Sequence, residues 1–262
     1  LGSEREAAEG VKLGTLEMTI VTTDGTLPSW VSDVQLLSIP YLFENKQEAY
    51  YILDEVLEPE FEKLFEAQGF KHLGFAELGF RHFTNNVREV VKASDMEGLS
   101  IRVQEATVWF SLMDCLKARG TALPFNELYT ALQQGTIDAC ENAVSNCLNN
   151  GFYEVTKNIT YTNHAFVYIL VSMSDHAWNR IPEELRPAFM EAVNRGYNTE
   201  RKLLKQANED AVKIMEEEKG VAFHDIDVTA LQEAYKQLAE KKGYRFDQEW
   251  QEALEEAIRE NP

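Results

Sequence analysis

The chain has 262 residues, 44% of them hydrophobic and 11% aromatic, enough to bury a sizeable core in one large domain or two lobes. A formal net charge of −19 repels phosphate backbones and no basic patch offsets it, so nucleic acid is not an expected partner. No stretch reaches the apolar length of a membrane span, and Cys115, Cys140 and Cys147, without CxxC spacing, argue for free thiols over a disulfide scaffold or metal site.

The opening LGSEREAAEG is charged and lacks the apolar centre of a signal peptide, so the chain is read as intracellular or as numbered from after a removed segment. Ser3 is placed as an N-cap, Glu6 completes a capping box, and Gly14 stops the helix. LEMTIVTTDG then reads as an apolar strand entering a polar turn. A helix is expected from about Lys46, and HLGFAELGFRHFTNN gives a strand followed by a glycine-punctuated connection that carries Arg81. In ASDMEGLSIRVQEATVWFSLMDCLKARG, Ser94 caps a short helix stopped at Gly98, SIRVQ is a strand, and a helix runs to about Gly120. NELYTALQQ is helical, Gly135 ends it, and the strand TIDAC runs into Glu141 and Asn142, expected as exposed polar tips. After Phe152 come two β-rich runs, the second apolar and central. From Pro182 a long helical region is expected, interrupted at Pro187 and Gly196, then an edge strand in VAFHDID and mostly helix to Pro262. The acidic runs at 208–220 and 249–260 read as solvated helix faces.

One unit occurs twice. VKLGTLEMTIV (11–21) and LQQGTIDACEN (132–142) share Gly-Thr, an aliphatic, an acid and a strand, and each glycine is required where a left-handed residue turns a helix end toward a strand. A helix packed on the strand that follows it is half of an α/β layer, so two copies imply two α/β lobes.

Compact catalytic motifs are lacking: there is no phosphate loop, nucleophile elbow or HExxH. His72, His82, His164, His176 and His224 are scattered singly and read as hydrogen-bonded structural residues. Arg102 lies within a strand between Ile101 and Val103, and a buried guanidinium needs an anion, either a protein carboxylate or that of a ligand. Arg81 reads either as a solvated loop arginine or as a second cation. Glu141 and Asn142, with Thr22 and Thr23 at the same point of the other copy, sit where loops beyond strand ends line a cleft.

Taken together, LGSEREAAEGVKLGTLEM, IPYLF, GFRHFTNN, MEGLSIRV, PFNELYTALQQGTIDACEN, FYEVTKNITYTNH and IPEELR, in that order over residues 1 to about 187, resemble the solute-binding proteins of TRAP transporters, the DctP type. The resemblance implies an α/β, two-lobed, type II periplasmic-binding-protein-like fold with long C-terminal helices bracing both lobes. It implies a first lobe over 1–80, a second over 81–172 with crossing strands, and long helices and an edge strand over 173–262 returning across both. By the same resemblance Arg102 would bind a ligand carboxylate, Arg81 would match a second ligand arginine, and Asn142 the asparagine of the family's QEN motif. Phe125 would lie near the ligand, Thr23 in the loop lining the first lobe, and Glu141 beside them.

The implied protein is a periplasmic or extracytoplasmic binding protein, not an enzyme and without cofactor or metal. It would deliver a sugar acid, dicarboxylate, keto acid or aromatic acid to permease subunits. Departures stand at Cys140 and Ala143, in place of Gln and Pro around Glu-Asn, and at Gln104, in place of the proline of RVP. The family also begins with a strand, helix and strand before the GSERE helix, so the first lobe is expected to be incomplete at its N-terminus through truncation. Two alternatives are a ligand-sensing module that signals to a partner protein and an α/β enzyme using Glu141 or His164 as acid-base group.

Overall fold

The computed structural model describes residues 2–242 and 248–260, and the side chains of 248–251 lie outside that description. Of the helical tail expected to Pro262, residues 243–247 and 261–262 also lie outside the described residues.

Helix α1 (Glu4–Lys12) begins at the expected capping box: the Ser3 hydroxyl accepts from the Glu6 N–H, and the Glu6 carboxylate accepts from the Ser3 N–H. It feeds β1 (Met18–Thr22). Next, α2 (Lys46–Tyr50) winds through a π-helical stretch, Tyr51–Leu57, into α3 (Glu58–Ala67). Strands β2 (Lys71–Phe80), β3 (His82–Asn85) and β4 (Ser100–Val103) precede α4 (Thr107–Leu116), β5 (Arg119–Ala122), α5 (Phe125–Gln133), β6 (Ala139–Asn142) and α6 (Val144–Asn149). Then come β7 (Asn158–Tyr161), β8 (Phe166–Met173), α7 (Asp175–Asn179), α8 (Arg186–Lys219), β9 (Ala222–Asp225), α9 (Val228–Lys242) and α10 (Gln248–Glu260).

The strands form two sheets. One is antiparallel, in the order β1-β8-β2; the other has six strands in the order β5-β4-β6-β3-β7-β9. Phe61, Phe65, Phe75 and Tyr168 centre the core of the first lobe, to which α10 adds Leu254 and Ala257. The six-stranded sheet carries a core on each face, one built with α4 and α9 and the other with α5, α6 and α8.

The repeat is visible in the backbone. At the end of α1 the Gly14 N–H bonds to the Val11 carbonyl and the Thr15 N–H to the Gly10 carbonyl. At the end of α5 the Gly135 N–H bonds to the Leu132 carbonyl and the Thr136 N–H to the Ala131 carbonyl. Gly14 and Gly135 have φ values of 73° and 68°, the left-handed turn that releases each helix toward its strand.

The chain crosses between the sheets at two adjacent places. β2 runs to Phe80 and β3 begins at His82, so a single residue, Arg81, makes the first crossing; the glycine-punctuated connection expected there is strand throughout, with irregularities near Gly74 and Gly79. The second crossing, residues 162–165, joins β7 to β8, and the Arg81 N–H bonds to the Ala165 carbonyl at 2.9 Å. β8 therefore belongs to the first sheet, where it is central as its apolar run implied.

Other differences from the sequence expectation have local causes. The helix expected to Gly120 ends at Leu116 because Lys117 adopts φ 52°, and residues 119–122 pair with β4 as β5 instead. Helix α8 is continuous for 34 residues through Pro187 and Gly196. Pro187 stands in the first turn, where no intrahelical N–H bond is lost. The described acidic side chains of both runs are exposed as expected, with Ala211 and Met215 turned inward from α8; those of 249–251 lie outside the described residues.

Two glycine substitutions should have opposite signs. Gly135→Ala forces a side chain into the left-handed region and should cost about 1–2 kcal/mol. Gly196→Ala fills open space within α8 and should stabilise by roughly 0.5–1 kcal/mol, both read as shifted urea midpoints.

Candidate functional site

Arg81 occupies the crossing between the sheets and is 1% exposed. Its Nε donates to Glu141 Oε2, and its Nη2 donates to Glu141 Oε1 at 3.0 Å and to the Glu141 carbonyl at 2.7 Å. Asp24 Oδ2 lies 3.8 Å from Nη1, and the guanidinium sits over the Trp109 ring. Burial works against its charge, but Glu141 and Asp24 more than offset this and raise the Arg81 pKa. The fork is thus filled by protein acids.

Glu141 is fully buried and lies inside β6, so the exposed tip expected from the sequence is a strand residue turned into the molecule. Burial pushes its carboxyl up, yet Arg81 and the hydrogen bond from His164 hold it below the usual range. His164, in the second crossing, reaches Glu141 Oε2 through Nε2 at 3.2 Å, while Nδ1 is 2.8 Å from the Thr162 hydroxyl. Against an ionised Glu141 the Nε2 donates, and burial lowers the His164 pKa, which favours the neutral ring with Nδ1 accepting from the Thr162 hydroxyl. Asp24 differs: burial raises its pKa to about 6 against the pull of Arg81.

Arg102 is in another situation. It is 4% exposed, and its Nε donates to the Leu123 carbonyl at 2.9 Å. No carboxylate among the described residues forms a salt bridge with it. Burial lowers its pKa, with Glu141 only partly opposing. Arg102 faces a cavity of about 210 Å³ between the lobes. Glu4, Thr22 and Ile20 border this cavity from α1 and β1, and Ile169 and Leu78 from β8 and β2. Across it stand Gln104, Phe125, Asn142 and Asn146, with Arg81 at the junction. A second space of about 200 Å³ shares Glu4, Arg102, Gln104 and Phe125, and the ion pair between Arg5 and Glu105 spans the lobes beside it.

The remaining expected site residues divide. Asn142 is 2% exposed, and its Oδ1 accepts from the Ala143 N–H and from Asn146 Nδ2, each at 2.9 Å, leaving its amide NH2 as a donor for anything bound. Phe125 opens α5 and packs edge-on against Phe152, and the N-terminus of that helix borders the cavity with the partial positive charge that favours anions. Thr23 is fully buried and its hydroxyl donates to the Tyr168 carbonyl, so Thr22, one position earlier, faces the cavity instead. Glu141 does not line the cavity; its carboxylate is engaged by Arg81 and His164. Sequence reasoning missed Glu4 and Asn146 as lining residues. Asn146 was findable as the residue one helical turn beyond Asn142; Glu4 had no signal, because only tertiary packing brings α1 to the cleft.

Among the described residues no cluster of His, Cys, Asp or Glu could hold a metal ion, and no helix is long and apolar enough to cross a membrane. The three cysteines are free, with Cys140 and Cys147 buried. What the site offers among the described residues is a guanidinium without a salt bridge, an amide donor and an aromatic wall in a half-open cleft.

The model of bacterial extracellular solute-binding protein family 7, DctP, matches residues 1–245. The chain belongs to this family. It is 36% identical over 201 residues to a solute-binding protein of Verminephrobacter eiseniae, covering 77% of this chain and 60% of that relative, so it spans less than two thirds of that protein's length. Its fold superposes with a TM-score of 0.93 on the sugar acid binding protein of Advenella mimigardefordensis in complex with galactonate, at 27% identity, with 99% of this chain and 84% of the other covered. A TRAP periplasmic solute-binding protein of Polaromonas sp. bound to D-erythronate gives a TM-score of 0.91 at 28% identity, with 98% and 84% covered. The fold is thus the two-lobed type II fold of the TRAP binding proteins, and the family consists of solute-binding proteins, not enzymes.

Glu141→Gln keeps the shape of this DctP-family centre but removes a charge facing Arg81. Breaking a buried pair on one side costs about 3–5 kcal/mol, so chemical denaturation should show a loss of that order; a loss below about 1 kcal/mol would mean that Asp24 alone holds Arg81.

Proposed function

We propose that the chain captures a small organic acid in the periplasm and delivers it to the membrane permease of a TRAP-type transporter. Arg102 takes the ligand carboxylate as the two lobes close around it. The observation that carries this reading is a guanidinium 4% exposed, facing the inter-lobe cavity, with no carboxylate of the described residues in salt-bridge contact. A buried charge left in that state is costly, and a carboxylate entering the cleft would relieve it with two parallel charge-assisted hydrogen bonds. The N-terminus of α5 and the Asn142 amide add donors on the same side. Supporting the acidic ligand class, the similar structures from Advenella mimigardefordensis and Polaromonas sp. hold galactonate and D-erythronate.

Arg81 serves this reading from behind. Its fork is held by Glu141, so its contribution to the ligand is the long-range field and the wall of the cleft. Closure would act on the two crossings beside it and on the Arg5–Glu105 pair across the lobes, a hinge-type movement about a few residues.

Arg102→Ala should weaken binding of any organic acid ligand by at least about 100-fold, roughly 2.8 kcal/mol at 1.4 kcal/mol per factor of ten. The melting temperature without ligand should hold or rise, because the variant removes an uncompensated buried charge. Arg102→Lys should fall between, keeping charge but losing the fork. Unchanged affinity in Arg102→Ala, measured by titration calorimetry, would remove Arg102 from the site.

A further inference from the structure

Three asparagine amides of the second lobe form a chain with one direction. Asn142 Oδ1 accepts from the Ala143 N–H and from Asn146 Nδ2, each at 2.9 Å. A backbone N–H can only donate, so the first bond fixes which amide atom of Asn142 is the oxygen, and the second then fixes Asn146. Asn146 Oδ1 in turn accepts from Asn150 Nδ2 at 2.6 Å, and the same nitrogen donates to the Asn146 carbonyl at 2.9 Å. Backbone groups therefore set the orientation at both ends. The chain of amides runs from exposed Asn150 through half-buried Asn146 to buried Asn142.

This direction decides what reaches the cavity. Asn142 and Asn146 both border the inter-lobe space, and Asn150 does not. Asn142 Nδ2 and the second hydrogen of Asn146 Nδ2 meet no partner among the described residues, so the open end of the chain consists of donors. β4 and β6 are parallel neighbours with Ile101 opposite Ala139, which puts Arg102 and Asn142 on one face of the sheet. Helix α6, which carries Asn146, is held from α8, where Asn208 Oδ1 accepts from the Ser145 N–H at 2.9 Å. A helix-stabilising i, i+4 pair accounts for the Asn150 bond alone. A relay that ends in donors at the cavity needs more than that.

We propose that Asn146 is a ligand-binding residue that donates to an oxygen of the bound acid, and that Asn150, outside the cleft, positions it by fixing the direction of its amide. This rests on the reading of the inter-lobe cavity as an acid site and adds to it a contact and the support behind that contact. A reversed Asn146 amide would set its oxygen against Asn142 Oδ1 and its nitrogen against Asn150 Nδ2, so the relay opposes the wrong orientation as well as favouring the right one. Donors held in this way need not be ordered when the ligand arrives, which favours affinity.

The test titrates succinate, D-erythronate, pantoate and galactonate calorimetrically into the wild-type chain and its variants. Asn146→Ala should weaken whichever acids bind at least about tenfold. Asn146→Asp, which keeps the shape but exchanges the donor for a negative charge, should weaken them further, and it keeps the test decisive if the alanine variant does not fold. Asn150→Asp offers Asn146 acceptors only and turns its amide outward, so binding should weaken at least threefold although residue 150 does not border the cavity. In the Asn146→Ala background the same change should have no effect, a non-additivity that a merely structural role of Asn150 would not produce. Affinity unmoved by Asn146→Ala, with binding still lost in Arg102→Ala, would overturn the relay and leave the Arg102 reading standing. Equal effects of Asn150→Asp in the two backgrounds would overturn the positioning role. Weakening by Asn146→Ala with none by Arg102→Ala would support Asn146 and remove Arg102 instead. Binding of none of the four acids by the wild-type chain would overturn both.

Discussion

The buried contact of Arg81 with Glu141 and His164 is the constraint on which the arrangement of the two lobes depends. Arg81 is the one residue between β2 and β3, His164 belongs to the return crossing, and Glu141 comes from β6 of the six-stranded sheet. One carboxylate therefore ties both crossings to the second lobe. Asp24, at the end of the first lobe's β1 turn, approaches the same guanidinium and bonds Gln104 of the second lobe. The charges are deep enough that none can be removed singly without stranding another. Both lobes also meet at this centre, through a few residues of extended chain.

The contrast between the two arginines follows from it. Arg81 and Arg102 both border the cavity and both are nearly inaccessible, yet one is saturated by acids and the other donates its Nε to a carbonyl and forms no salt bridge among the described residues. Folding thus meets the electrostatic demand of Arg81 at the crossings and gives Arg102 in the cleft a carbonyl but no salt bridge among the described residues. On the proposed reading, an anion entering the cleft would relieve Arg102 and couple occupancy to closure of the lobes. The comparatively simple chemistry of a binding protein, one ion pair with a rim of directional polar groups, is what the residues supply.

Much of this was legible in the sequence, for identifiable reasons. The helix-glycine-strand repeat was readable because Gly14 and Gly135 meet a local backbone requirement, and Arg102 because strand alternation places it opposite two aliphatics. Asn142 was readable as a cavity-lining residue by its place at the end of a strand, although it is buried within β6 and not the exposed tip expected. Glu141 was misjudged as an exposed tip because its partner Arg81 lies 60 residues away, a pairing no local pattern records. Thr23 and Thr22 exchange roles because one residue along a strand reverses the face. The strand β5 was hidden within a helical pattern that Lys117 ends by a left-handed turn without glycine. Glu4 and the bond of Gln104 to Asp24 became visible only with tertiary packing, although Gln104 already stood out as a departure from the proline of RVP.

The most direct measurement compares an acid with its own primary amide, galactonate with galactonamide, by titration calorimetry against the unaltered chain. Shape and hydroxyls are the same and only the charge for Arg102 is missing. If the uncompensated guanidinium is the centre of recognition, the amide should bind at least about 100-fold more weakly, consistent with charge-assisted pairs of roughly 1.5–3 kcal/mol per bond. Binding of acid and amide with equal affinity would contradict it and place recognition in the hydroxyl contacts alone.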